Sequence, residues 1–216
     1  MSFQTIFEIQ QSMSVQNRRT VGQQYSRSGQ VRVAQYLTSV PWVFTVQPHS
    51  FLYYPQVRNV IQVIDNKDRQ LPETITFAST NLSWFTAYQG DLTLPQRNAL
   101  TLDSVPAANS QTITVGNLPS VSASLYVFKA GDFLQMGLYP YKVTTDVLRG
   151  SGSTVSVSLH RPVIGTVSVG TLTAVGNACT FYMLAESCPT YTLNPAPLGA
   201  FVQWNQPFVF REDIIG

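Results

Sequence analysis

Pro41-Trp42-Val43-Phe44-Thr45-Val46 sets large apolar side chains at Trp42, Phe44 and Val46, one residue apart. Successive side chains of a strand point to opposite faces, so a period of two reads as a strand with one face in a core. Runs of the same kind recur at 30–36, 73–77, 141–147 and 154–159, rich in Val, Thr, Phe and Tyr and separated by Gly, Pro, Asn and Ser. Arg149-Gly150-Ser151-Gly152-Ser153, between the last two runs, reads as a hairpin loop whose glycines supply positive φ. The chain is therefore expected to be all-β, with antiparallel sheets forming a sandwich or barrel.

One stretch departs from this pattern. Val57, Val60, Ile61 and Ile64 recur at three- and four-residue spacing, Pro55 suits a first helical turn, and Asn66-Lys67-Asp68 suits an end. This predicts a single flanking helix near 55–67. Composition shifts near residues 79 and 166, and the segment between them contains a Pro-, Asn- and Ser-rich stretch followed by compact strands. The expected organisation is one β-sandwich from 1–79 plus 166–216, with 80–165 inserted as a small β-barrel module.

Of the 216 residues only 11% are charged, against about 25% in an ordinary soluble domain. Ser, Thr, Gln and Asn make up roughly a third of the chain and take the place of the missing charges. Such a surface has little self-repulsion, which favours assembly over a free monomer. A net charge of +2 is too small to imply a polyanion partner for the whole chain. No run of about 18 apolar residues is available to span a bilayer. The start, Met1-Ser2-Phe3-Gln4-Thr5-Ile6-Phe7-Glu8, lacks the basic and apolar regions of a secretory signal, which predicts a protein made and kept in a cytoplasm.

Candidate chemistry is sparse. His49 and His160 read as surface-edge or packing residues, and no Gly-x-Ser-x-Gly elbow, phosphate loop or His-Glu-x-x-His motif is present. Gly90-Asp91 and Gly131-Asp132 read as turns. Cys179 and Cys188 read as two ordinary thiols or as a local staple, their spacing matching neither a zinc ribbon nor a redox pair. The chain is expected to have no catalytic residues, cofactor or metal.

Charge placement is more informative. Arg18, Arg19, Arg27 and Arg32 occupy a stretch with no acidic residue, while Glu212 and Asp213 lie at the far end. These six residues are candidates for a subunit interface; a solvated hairpin or a DNA-lined channel would give the same pattern. Ser28-Gly29 suits the tip of that hairpin. Trp42, Trp84 and Trp204 read as core or interface anchors, with Trp84 and Trp204 as the alternative, a sugar platform.

The middle of the chain carries Tyr126-Val127-Phe128-Lys129-Ala130-Gly131-Asp132-Phe133-Leu134-Gln135, then Tyr141-Lys142-Val143-Thr144-Thr145-Asp146-Val147, Thr154-Val155-Ser156-Val157 and Arg161-Pro162. This order of strands resembles a module in minor tail proteins of tailed bacteriophages. The outer part, with Pro41-Trp42, the 55–67 helix and the 201–215 segment, resembles the distal-tail and tail-tube β-sandwich that hosts such insertions. The resemblance implies a virion protein made in the host bacterial cytoplasm. It also implies a homohexameric ring at the distal tail or baseplate hub that continues the tail tube, docks other tail or baseplate proteins, and meets DNA only in transit through the lumen. The alternative is a carbohydrate-binding module that contacts the host surface.

Overall fold

Strand Val43–Pro48 alternates in burial as its sequence predicts: Phe44, Val46 and Pro48 are buried, whereas Val43, Thr45 and Gln47 are partly exposed. It belongs to a computed structural model that describes residues 3–18, 21–35, 40–67, 69–107, 109–172, 174–197 and 199–214. With 39% strand, 15% helix and antiparallel sheets that include a curled half-barrel, the fold is all-β as expected. The residues group into two compact units, one of 1–17, 41–84 and 180–215, the other of 18–40 and 85–179.

The first unit is built on a five-stranded antiparallel sheet, in the order Gln10–Gln16, Val43–Pro48, Phe208–Glu212, Thr180–Ser187, Glu73–Thr76. A short helix, Phe3–Glu8, lays Phe3, Ile6 and Phe7 against its inner face. There Phe3, Phe7, Phe44, Phe77, Phe181 and Phe210 pack with ring centroids 5.0 to 5.7 Å apart. Burying each ring contributes about 1.5–3 kcal/mol, so this cluster is the main support of the unit. Gln4 closes one sheet edge: its side-chain oxygen accepts the Thr76 N–H at 2.8 Å and its amide donates to the Thr76 carbonyl at 3.0 Å. A side chain thus occupies the place of a further strand.

The predicted flanking helix runs from Tyr54 to Lys67 and buries Val57, Ile61 and Ile64. Beside it lies a three-stranded sheet of Tyr191–Ala196, Gly199–Trp204 and Leu52–Tyr53. The helices Phe3–Glu8 and Leu94–Asn98 were not foreseen. Six and five residues are too short for an apolar period to establish itself.

The second unit contains small ladders. One joins Val155–Ser158, Thr112–Gly116, Thr101–Leu102 and Gly170–Thr171; another joins Tyr139–Lys142, Phe133–Met136 and Ala174–Val175; a third pairs Val147–Leu148 with Tyr126–Phe128. The predicted 141–147 strand is interrupted because the Asp146 carboxylate turns aside to accept the Ala130 N–H at 2.8 Å. The 149–153 segment is not a hairpin loop. It connects strands of two different ladders, and the Arg149 guanidinium shapes it by donating to the carbonyls of Pro119, Gly150 and Gly152 at 3.0, 3.1 and 2.6 Å.

Candidate functional site

The Arg-bearing stretch forms a hairpin, Val21–Tyr25 paired with Val31–Gln35. Its tip is set by local chemistry: the Ser26 hydroxyl accepts the Gln30 N–H at 3.1 Å, the Gly29 N–H donates to the Ser26 carbonyl at 3.0 Å, and Gly29 takes φ +78°. Positive φ is what glycine supplies without a Cβ penalty. Tyr25 is 71% exposed and Val31 50% exposed. Arg18 and Arg27 are exposed as well, and Arg32 stands opposite Gln24 in the ladder. Arg19 lies outside the described residues.

The acidic edge expected at 212–213 is not an open one. Glu212 is only 2% exposed, and its carboxylate accepts the Trp42 N–H at 3.1 Å while its own N–H donates to the Trp42 carbonyl at 2.8 Å. It fastens the last strand to the Val43–Pro48 strand from within the sheet. Asp213 is half-buried, with its N–H on the Tyr182 carbonyl. The exposed Arg211 is already engaged by Glu186, through bonds of 2.9 and 3.2 Å. Of the two acidic partners foreseen for the arginines, only Asp213 retains a surface.

In the second unit the carboxylates tie loops together. Asp132 is fully buried; its two oxygens accept the N–H groups of Gln89 at 2.7 Å and Lys129 at 2.8 Å. Burial raises its pKa, against the backbone amides of Lys129, Gln89 and Gly90 and the charge of Lys129, all of which lower it. Asp91 accepts the Tyr126 N–H at 2.8 Å. The Gly-Asp pairs are therefore turns with a second task, each carboxylate gathering amides from a distant strand. Tyr88 donates to the Val127 carbonyl, and burial pushes its hydroxyl up to about 12. Arg97 lies over the Tyr88 ring at 4.8 Å.

The remaining candidates separate by depth. His160 accepts the Lys142 N–H at Nδ1, 3.0 Å away, and sets its ring against Tyr141, which makes it a packing residue. Cys179 is buried, which pushes its thiol up, and Cys188 is half-exposed; both carry thiols and no disulfide joins them. Trp42 and Trp204 are buried, 2% and 5% exposed, whereas Trp84 is 62% exposed. Trp204 lines an apolar cleft of about 330 Å³ with Ile61, Ile64, Tyr191 and Phe208. Trp84 lines a polar one of about 380 Å³ with Glu8, Gln10, Gln11, Ser12, Met13, His49 and Asn81. The two tryptophans foreseen as one sugar platform thus belong to different clefts.

No protein-family model matches the chain, and no curated protein matches it. The resemblance to tail proteins stands on the quoted residues alone. Among the described residues no group of three or more His, Cys, Asp or Glu side chains is placed to hold a metal ion. No described helix is long and apolar enough to cross a membrane.

Two features escaped the sequence reading. Arg161 is fully buried, its guanidinium donating to the Val40 and Pro140 carbonyls at 2.6 and 2.9 Å and lying over the Tyr141 ring. The other is the polar cleft, whose lining residues come from three separate stretches of the first unit.

Proposed function

We propose that this chain is a structural, non-enzymatic subunit of a bacteriophage tail. It forms a ring at the distal tail or baseplate, with six copies closing about an axis, and docks further tail components. The observation that carries the reading is the hairpin. Among the described strands Val21–Tyr25 and Val31–Gln35 pair only with each other. An isolated two-stranded hairpin is marginal in water, so an arm that exposes Tyr25 and Val31 calls for a covering surface. In a ring built from heterologous contacts, the neighbouring subunit supplies that surface at every boundary.

Two further features support assembly. Strand Gln10–Gln16 pairs on one side only, at the edge of its sheet, and exposes Val15. Such an edge accepts a strand from another copy. The low charge of the chain also removes the desolvation that packing ionic surfaces together would cost.

The test is the mass of the purified chain in solution, by light scattering after gel filtration, together with negative-stain images. Rings are expected, alone or with the neighbouring tail proteins present. Replacing Tyr25 by Ser together with Arg27 by Glu is expected to shift the population to monomers without lowering the melting temperature. A wild-type chain that stays monomeric at micromolar concentration and forms no ring with its tail partners ends this reading.

A further inference from the structure

Strand Gln10–Gln16 does not run in regular register against Val43–Pro48. Gln10 stands opposite Pro48 and Ser12 opposite Gln47, so Gln11 is an extra residue in a β-bulge. In a regular strand neighbouring side chains alternate between faces; a bulge breaks that rule and re-aims them. Here four consecutive residues, Gln10 to Met13, line the same polar cleft.

The other wall is held equally firmly. The Leu82 and Ser83 N–H groups donate to the Ser79 carbonyl at 3.1 and 2.8 Å, and the Trp84 indole N–H donates to the Asn81 carbonyl at 3.0 Å. That last bond fixes the tilt of a ring that is 62% exposed. Glu8 at the base is set by the Gln4 amide and the Ser79 hydroxyl, each at 2.9 Å from one carboxylate oxygen. The His49 N–H is anchored on the Ile9 carbonyl at 2.9 Å. The Gln10 side-chain oxygen is buried and accepts no hydrogen bond among the described residues, leaving an unsatisfied acceptor in the cleft wall.

We infer that this cleft binds a neutral saccharide. An exposed indole face offers a flat apolar surface to the C–H face of a pyranose, and the side-chain amides of Gln10, Gln11 and Asn81 both donate to and accept from hydroxyl groups. No Lys or Arg lines the cleft, and its single ionisable acid is Glu8, so phosphate and sulfate groups have no counter-charge there. The site lies wholly within the first unit and does not depend on the ring.

The experiment uses the full chain on an array of neutral, sialylated and sulfated oligosaccharides with a single-stranded oligothymidylate as a further probe, followed by titration of whichever neutral glycan is retained. Retention of neutral glycans is expected. Trp84→Ala should weaken that binding by about tenfold or more, since a central aromatic anchor dominates a small site. Trp84→Phe should recover most of it, and Gln11→Ala should weaken it by about threefold. Trp84 and Gln11 are exposed, so unchanged melting temperatures will show that the variants are folded. The inference is overturned if no neutral glycan binds at millimolar concentration, if binding survives Trp84→Ala, or if only acidic glycans or the oligonucleotide are retained. None of these results bears on ring formation, which is read from mass and images.

Discussion

Replacing Asp132 by Asn keeps the size of the side chain but changes what it offers. The carboxylate accepts one backbone N–H on each oxygen, from Gln89 at 2.7 Å and Lys129 at 2.8 Å. An amide has one acceptor oxygen, so one of these bonds is lost and an NH₂ group is turned toward an N–H donor. A hydrogen bond to a charged group contributes about 1.5–3 kcal/mol, and the Asn variant should lose about that much stability. Asp132→Ala loses both bonds, but Gln89 lies at the surface and its amide can return to water, which limits the loss to about 2–4 kcal/mol. Urea denaturation followed by hydrogen exchange is the assay, read on peptides covering 85–92 and 126–132. Faster exchange in both peptides, together with a lower midpoint, is expected. A midpoint within about 0.3 kcal/mol of wild type, with both peptides still protected, would refute the view that this carboxylate holds the two loops together. The pH dependence gives a second check. Because burial raises the Asp132 pKa, the folded chain holds a proton at pH values where the unfolded chain has released it. Its contribution is complete below the unfolded pKa and is lost as pH rises through the folded one; the Asn variant should lack that slope.

Three other outcomes follow from the same unit and from the cysteines. Tyr88, pushed up to about 12 by burial, should remain un-ionised in an ultraviolet titration at pH 10.0, the ordinary tyrosine value, and as pH rises above that value its contribution to stability should fall through the folded pKa. Gly90→Ala would place a Cβ against the Tyr88 hydroxyl, and 2.9 Å from the Val127 carbonyl oxygen, a crowding that should cost about 1–3 kcal/mol in a denaturant titration. A thiol reagent should modify Cys188 in the native chain and reach the buried Cys179 only after unfolding, which mass spectrometry of the labelled peptides will show.

The features legible in the sequence are those whose cause is local. The alternation of Trp42, Phe44 and Val46 and the stripe of Val57, Ile61 and Ile64 each repeat within a few residues, and both elements formed where their periods placed them. Glu212 looked like a surface charge because nothing near it in sequence shows that its carboxylate meets the Trp42 amide, 170 residues away. Arg161 is the same case at a separation of 121 residues. The loop at 149–153 was misread for a related reason: its glycines specify a turn, but whether the flanking strands pair with each other is decided by Tyr126–Phe128 and Thr112–Gly116, which claim them separately. The polar cleft was only half visible. Trp84 was an evident candidate, but the bulge that brings Gln10 and Gln11 beside it depends on register with a strand some 35 residues later.

The order of strands in the first unit has a consequence for synthesis. Its middle strand, Phe208–Glu212, lies between Val43–Pro48 and Thr180–Ser187, and it is the last of the described strands to leave the ribosome. At about 5–20 residues per second, the Val43–Pro48 strand waits roughly ten to thirty seconds for the partner that occupies its inner edge. Over that interval Phe44 and Val46 lack their neighbours, and an unpaired apolar edge is available to any other nascent copy. The residues of the second unit, by contrast, are all translated before Thr180, so that unit can complete its fold first. Slow translation or a shortage of chaperone should therefore deplete the first unit's sheet while sparing the second unit.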